Sequence, residues 1–252
     1  MQSDSVKPID IQKSLPPGAS VLDVGCYDFK QWQLSQALHR GDLHHSGVDY
    51  CQPDSCPAGF VFRLADLNRA RIPFDDDSFD LVVASHVIEH LEKPVDFFAD
   101  CVRVCKPGGK LYLECPSERT LMLPGFPFDH DKLYSTSFFD DPTHLGRPFS
   151  PQSFVRLAAY HGCKSVCAGY DISWGCRLLF PLAVPFALIF RKGWLLEHVI
   201  WKSVGWASYS VVEKPRDLRG KPSLNYFLPQ NRYDDWLLRS ILKIRHWVSS
   251  GK

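Results

Sequence analysis

Between residues 20 and 116 the chain alternates short apolar runs with stretches of helical period. The runs are VLDVG at 21–25, HSGVD at 45–49, VFRL at 61–64, FDLVVAS at 79–85 and KLYLEC at 110–115. Apolar runs this short, bounded by turn residues, predict strands buried on both faces. Between them, 30–40 offers Trp32, Leu34, Ala37 and Leu38 as a helical stripe. Residues 94–105 offer Val95, Phe98 and Val102 on one face, with Pro94 suited to a first turn. Pro107, Gly108 and Gly109 then break the helix. Strand, helix, strand, helix in this rhythm predicts a parallel sheet with crossover helices.

After Pro116 the period is lost. Residues 117–149 are rich in Pro, Asp, Phe and Ser and read as a lid or binding loop. Residues 151–161 return to helix, with Ser150 as N-cap and Gly162 closing it. Strands are expected at 165–170 and 206–213, the second stopped by Lys214 and Pro215. Between them lies an apolar insert, 177–204, carrying Pro181 and Pro185. The expected organisation is a leader at 1–20, one domain at 21–215 and an amphipathic tail at 216–252. A chain of 252 residues suits that single large domain.

Composition narrows the function. Net charge is +1 and no basic stripe precedes the tail, so no nucleic-acid partner is expected. The nine cysteines form no C-x-x-C pair and read as small buried hydrophobes in a reducing compartment. The start of the chain lacks a signal-peptide pattern, and no apolar run reaches the ~18 residues of a membrane span, so a cytoplasmic location is expected. Two segments qualify this. The run at 178–190 is flanked by Arg177, Arg191, Lys192 and Trp194. In the tail, 233–248, Leu237, Ile241, Ile244 and Val248 share a helical face beside basic residues. Two readings stay open for 177–204 and 233–248. They make peripheral contact with a membrane, or they cover an acceptor pocket or a homodimer interface.

Open α/β sheets bind ligands at the carboxyl ends of their strands. The first such turn here runs Asp23, Val24, Gly25, Cys26, Tyr27, Asp28. Glycine there lets a ligand approach the backbone. Asp49 ends the second predicted strand, where one carboxylate can accept from both hydroxyls of a ribose.

VLDVGC, SGVDY, ADLNRARIPFDDDSFDLVVASHVIEHLEKP and RVCKPGGKLYLECPSE, in that order, resemble the class I S-adenosylmethionine-dependent methyltransferases. The likeness is to the ubiquinone-type and sugar-type O-methyltransferases, over about residues 20–116. It implies a Rossmann-like α/β fold: a seven-stranded, mostly parallel sheet, helices on both faces, last strand antiparallel. It implies S-adenosyl-L-methionine as cofactor. Asp23, Gly25, Cys26 and Tyr27 would shape the methionine end of its site. Asp49 would hold the ribose, Tyr50 and Leu67 the adenine, and Asp66 the adenine amino group. Ser85 and His86 would line the methionine part. The chain departs from the family's D-x-G-x-G-x-G at Tyr27 and Phe29, where two glycines would stand. That departure supports the alternative of a methyltransferase-like binding module.

Methyl transfer needs alignment of donor and acceptor and a base for the acceptor's proton. His86, Glu89 and His90, at helical spacing after the fourth strand, share a face if the segment is helical. Glu89 and His90 match an E-H pair of the subgroup. His144, in the segment that the resemblance places at the acceptor, is the first choice for base, with Asp141 to orient it. No metal is expected. The acceptor is read as a small molecule or saccharide, lipid-linked if the membrane reading holds.

Overall fold

The computed structural model describes residues 6–217. Seven strands form one sheet in the order β3-β2-β1-β4-β5-β7-β6. They are β1 (Ser20–Val24), β2 (His44–Asp49), β3 (Val61–Leu64), β4 (Phe79–Ser85), β5 (Cys105–Pro116), β6 (Lys164–Tyr170) and β7 (Ala207–Glu213). The first five are parallel, and β7 runs antiparallel between β5 and β6. This is the Rossmann-like sheet expected from the sequence.

Alternation along the central strands sorts side chains to two cores. Leu22, Val24, Val82, Ala84, Leu111 and Leu113 enter one core, together with Phe98 of α3 (Pro94–Val104) and Phe154 of α4 (Pro151–Tyr160). Val21, Leu81, Val83 and Tyr112 enter the other, with Ile11 of α1 (Pro8–Ser14). Both faces are therefore dry, which is why these strands read as continuous apolar runs. Ser150 caps α4, its Oγ accepting from the Ser153 N–H.

The structure corrects the expected faces of three segments. In α3, Phe98 and Val102 are buried as expected, but Val95 is exposed and Phe97 and Cys101 complete the buried face. Helix α2 (Lys30–Ala37) does not bury Trp32, Leu34, Ala37 and Leu38. It buries Gln31 and Ser35 instead. Gln12 Nε2 donates to Gln31 Oε1 at 3.0 Å, and the Ser35 hydroxyl donates to Gln12 Oε1 at 2.9 Å. The same hydroxyl meets His45 Nε2 at 2.6 Å. Mutual hydrogen bonds let this inner face be polar, so an apolar stripe is no guide to it. The segment after β4 is not helical from residue 86 either. His86 holds a left-handed φ of 56°, and only a 3₁₀ turn, Ile88–His90, follows.

The leader contributes α1. The loop at 117–149 contains two 3₁₀ turns, Glu118–Met122 and Phe138–Asp140. The apolar insert folds as two helices, α5 (Trp174–Ile189) and α6 (Gly193–Val204). Among the described residues no helix is long and apolar enough to cross a membrane. The expected amphipathic helix at 233–248 lies outside the described residues.

Candidate active site

The carboxyl ends of β1, β2 and β4 meet around Gly25 and Asp49. Gly25 has a φ of 78°, and a side chain there would strike Val87 Cγ2 at 2.7 Å. Glycine is required twice over, by conformation and by space. Asp49 is buried and anchors the turn. Its Oδ2 accepts from the Tyr27 N–H at 3.1 Å and its Oδ1 from the Cys51 N–H at 2.9 Å. An ionised carboxylate offers about four lone-pair sites, so two of these remain for a ligand's hydroxyls.

Tyr27 and Phe29 do not close this site. The Tyr27 side chain is exposed while its N–H serves Asp49. Phe29 takes a left-handed φ of 53°, the conformation that glycine would favour. Its ring packs against Phe60. The loop thus keeps a glycine-like turn at Phe29 without the glycine.

Asp23 lies on the buried face of β1 and accepts from the Gln31 N–H at 3.3 Å. Burial is the main cause that pushes its carboxyl up to about 8. Cys26 is wholly buried, and burial raises its thiol to about 12, so it is inert packing. Tyr50 is exposed beside Asp49, and Leu67 rests against the core. Asp66 is half exposed, with Oδ1 accepting from the Asn68 N–H at 3.0 Å. Asp49, Tyr50, Asp66 and Leu67 could offer a nucleoside two carboxylates, an aromatic ring and an apolar side chain.

The expected catalytic residues Glu89, His90, Asp141 and His144 lie together, and His86, expected at the methionine part, joins them through Glu89. His86 Nδ1 meets Glu89 Oε1 at 3.1 Å. Glu89 is fully buried, and its Oε2 has no hydrogen-bond partner. Glu89, His90 and His144 bring one ligand atom each to within 4.8 Å of one another. One carboxylate and two imidazoles could hold a divalent cation. His144 Nδ1 donates to the Phe138 carbonyl at 2.7 Å, which leaves Nε2 facing Asp141 at 3.8 Å. The His144 side chain is only 6% exposed. His90 Nδ1 lies 3.0 Å from the Thr143 hydroxyl, which in turn donates to Asp141 Oδ1 at 2.6 Å. For Asp141, burial alone would raise the pKa. The Thr143 hydrogen bonds and the nearby His144 and His90 outweigh it and lower the value.

A cleft of about 450 Å³ opens at the ends of β4 and β5. Ser85, His86, Lys30, Glu114 and Asp171 line it, with Lys7 from the leader and Trp201 and Lys202 from α6. His86 and Ser85 reach it; His90, His144 and Asp141 do not line it. Lys7 Nζ pairs with Asp171 at 2.7 Å and with Glu114 at 3.6 Å, and Lys202 also pairs with Asp171. Tyr112 donates its hydroxyl to Glu114 at 2.7 Å. Burial would lower the pKa of His86, but Glu89 and then Glu114 overcome this and raise it. Glu114 was missed in the sequence, although it stands near the carboxyl end of a parallel strand, where such sheets bind ligands. Lys7 and Lys202 carry no comparable signal.

Residues 22–113 match the methyltransferase domain family. A probable S-adenosylmethionine-dependent methyltransferase of Mycolicibacterium smegmatis is 31% identical over 186 residues, covering 66% of this chain and 71% of that protein. The ubiquinone biosynthesis O-methyltransferase of Hahella chejuensis is 31% identical over 109 residues, 40% of this chain and 44% of its own length. Other relatives are spanned over only 36% of their length. Among solved structures, an S-adenosylmethionine-dependent methyltransferase from Archaeoglobus fulgidus shares the fold with a TM-score of 0.53 and 21% identity, over 82% of this chain and 92% of that one. With a matching domain, a relative covered over most of its length and the same sheet, the chain belongs to the S-adenosylmethionine-dependent methyltransferases, enzymes whose cofactor is S-adenosyl-L-methionine.

Proposed function

We propose that the enzyme methylates a hydroxyl oxygen of a small-molecule or saccharide acceptor, lipid-linked if the apolar insert meets a membrane, in the cleft beside His86. The observation that carries this reading is the His86–Glu89 pair, whose imidazole opens on the cleft. S-adenosyl-L-methionine, when bound, supplies a methyl carbon activated by its sulfonium. Asp49 would hold its ribose, Tyr50, Leu67 and Asp66 its adenine, and the turn at Asp23–Cys26 together with Ser85 its methionine end.

An alcohol is a weak nucleophile until its proton is removed. Glu89 engages His86 Nδ1, which fixes the ring and leaves Nε2 for the acceptor proton. As the new carbon–oxygen bond forms and the carbon–sulfur bond breaks, the hydroxyl proton passes to His86. The buried Glu89 carboxylate steadies the resulting imidazolium. This reading moves the base from His144 to His86, because His86 lines the cleft and the His144 ring is enclosed. Glu89, His90, Asp141 and His144 become the bracing behind it. The oxygen preference is supported by the name of the Hahella chejuensis relative.

Incubation with methyl-labelled S-adenosyl-L-methionine and fractionated extract, followed by mass and NMR analysis of labelled products, tests the reading. A methyl ether is expected, and His86→Gln is expected to lower kcat by about 100-fold or more. Label on nitrogen or carbon would overturn it.

A further inference from the structure

Helix α5 presents an apolar face to solvent. Trp174, Leu178, Leu182 and Phe186 follow one another at every fourth position, with Leu179 and Ile189 beside them. At about 100° per residue these six share a face of roughly 140°. Leu178 is 80% exposed, Leu182 73% and Ile189 74%. Arg177 is the one charged residue in the helix. The opposite side, at Ala187, packs with Leu196 of α6 and Phe128. Apolar surface this continuous marks an interaction site.

The rim of the face indicates what it meets. Arg177 lies over the Trp174 ring at 5.0 Å. Lys192 and Trp194 are exposed just past the other end, while Arg191 there turns to the Phe128 ring at 5.3 Å and to Asp129 at 3.9 Å. Tryptophan and basic residues around an apolar helical face match the headgroup level of an anionic bilayer. A helix of 16 residues is about 24 Å long, shorter than the ~30 Å hydrocarbon core, so it would lie in the surface plane. Residues 218–252 are a poorer occupant. They carry seven Lys and Arg against two Asp, so the basic rim would repel them. A second copy would bring the same basic rim.

We infer that the α5 face docks on an anionic phospholipid bilayer. The Ser173 N–H donates to the Lys202 carbonyl at 2.8 Å, and Arg177 Nε donates to the Ser203 carbonyl at 2.7 Å. The first turn of α5 is thereby clamped to the end of α6 that lines the cleft. Docking places the cleft at the membrane surface, where an acceptor keeps its apolar tail in the bilayer and offers its hydroxyl to His86. This last step rests on the acceptor reading above; the docking itself does not.

Co-sedimentation of the full chain with vesicles tests the inference. Binding is expected to phosphatidylcholine vesicles containing phosphatidylglycerol, to fall with added salt, and to be weak on phosphatidylcholine alone. Leu178→Glu with Leu182→Glu should weaken it by about tenfold or more. Leu133→Glu, at another exposed leucine, should bind as wild type, and both variants should keep the wild-type melting temperature. Undiminished vesicle binding by the folded double variant would overturn the assignment. So would loss of binding together with conversion of a dimer to a monomer in light scattering, which would give the face to a second copy. Vesicle binding without methyl-ether product would leave the docking intact and sink the acceptor reading. Turnover on a soluble acceptor without vesicle binding would do the reverse.

Discussion

The Phe29 ring stands edge-on to Phe60, with centroids 4.9 Å apart and an interplanar angle of 81°. Its backbone meanwhile holds a φ of 53°. The left-handed conformation costs a non-glycine residue about 1 kcal/mol or more. The aromatic contact returns about 0.5–1.5 kcal/mol beyond its burial. The turn after β1 is therefore held by a ring where the family's pattern has a glycine.

That balance orders two substitutions. Phe29→Ala keeps the backbone cost and loses the ring. Phe29→Gly loses the ring and sheds the cost. Glycine should therefore destabilise less than alanine, by about 1 kcal/mol, the reverse of the usual order in regular structure. Urea unfolding of both variants measures this. Equal or inverted stabilities would show that the strain is not felt at this turn.

Asp23 makes stability depend on pH. Burial raises its folded-state carboxyl to about 8, against 3.8 when unfolded. The unfolded chain releases this proton near pH 4, and the folded chain keeps it until near pH 8. Fewer protons bound in the unfolded state means that stability falls as pH rises through that window. The slope approaches about 1.4 kcal/mol per pH unit for one full proton. Asp23→Asn keeps an acceptor for the Gln31 N–H and removes the titration. Denaturation between pH 5 and pH 8, without cofactor, should show the variant gaining on wild type as pH rises. Parallel curves would contradict a neutral buried Asp23.

The sheet was legible because its strands are buried on both faces, so each appears as an unbroken apolar run such as FDLVVAS. Gly25 and Asp49 were legible because turn chemistry and strand ends fix their places. The inner face of α2 was not, since Gln31 and Ser35 satisfy partners on α1 and β2 that no local pattern shows. The cleft was legible at Ser85 and His86, and coarsely in the insert 177–204, which one reading laid over a pocket and which supplies Trp201 and Lys202. Its other walls include Lys7 and Asp171, brought together by tertiary packing over more than 160 positions. The reach of His86 toward Glu89 was anticipated from helical spacing. The contact is made instead by a left-handed turn leading into a 3₁₀ turn.

The Glu89, His90 and His144 group predicts the response to chelators. Thr143 and Phe138 already engage the Nδ1 atoms of the two histidines, which fixes both rings without an ion. Methyl transfer from a sulfonium needs no Lewis acid. Turnover should therefore be unchanged after exhaustive treatment with a chelator. Loss of activity restored by one divalent ion, and abolished by His144→Ala, would instead assign these three residues to a metal.

Glu89 should set the pH dependence of turnover through His86. The base must be unprotonated to accept, so the rate rises with pH through the His86 pKa. Glu89 and Glu114 place that pKa above its usual value despite burial. Glu89→Gln keeps the size of the side chain and removes the nearer charge. The acidic limb of kcat against pH should then move to lower pH, while kcat on the plateau falls because the imidazolium loses its partner. KM for S-adenosyl-L-methionine should change little, since Asp49 and the turn at Gly25 are untouched. A purely structural Glu89 would lower the rate at every pH without moving the limb. That result would remove His86 from the role of base.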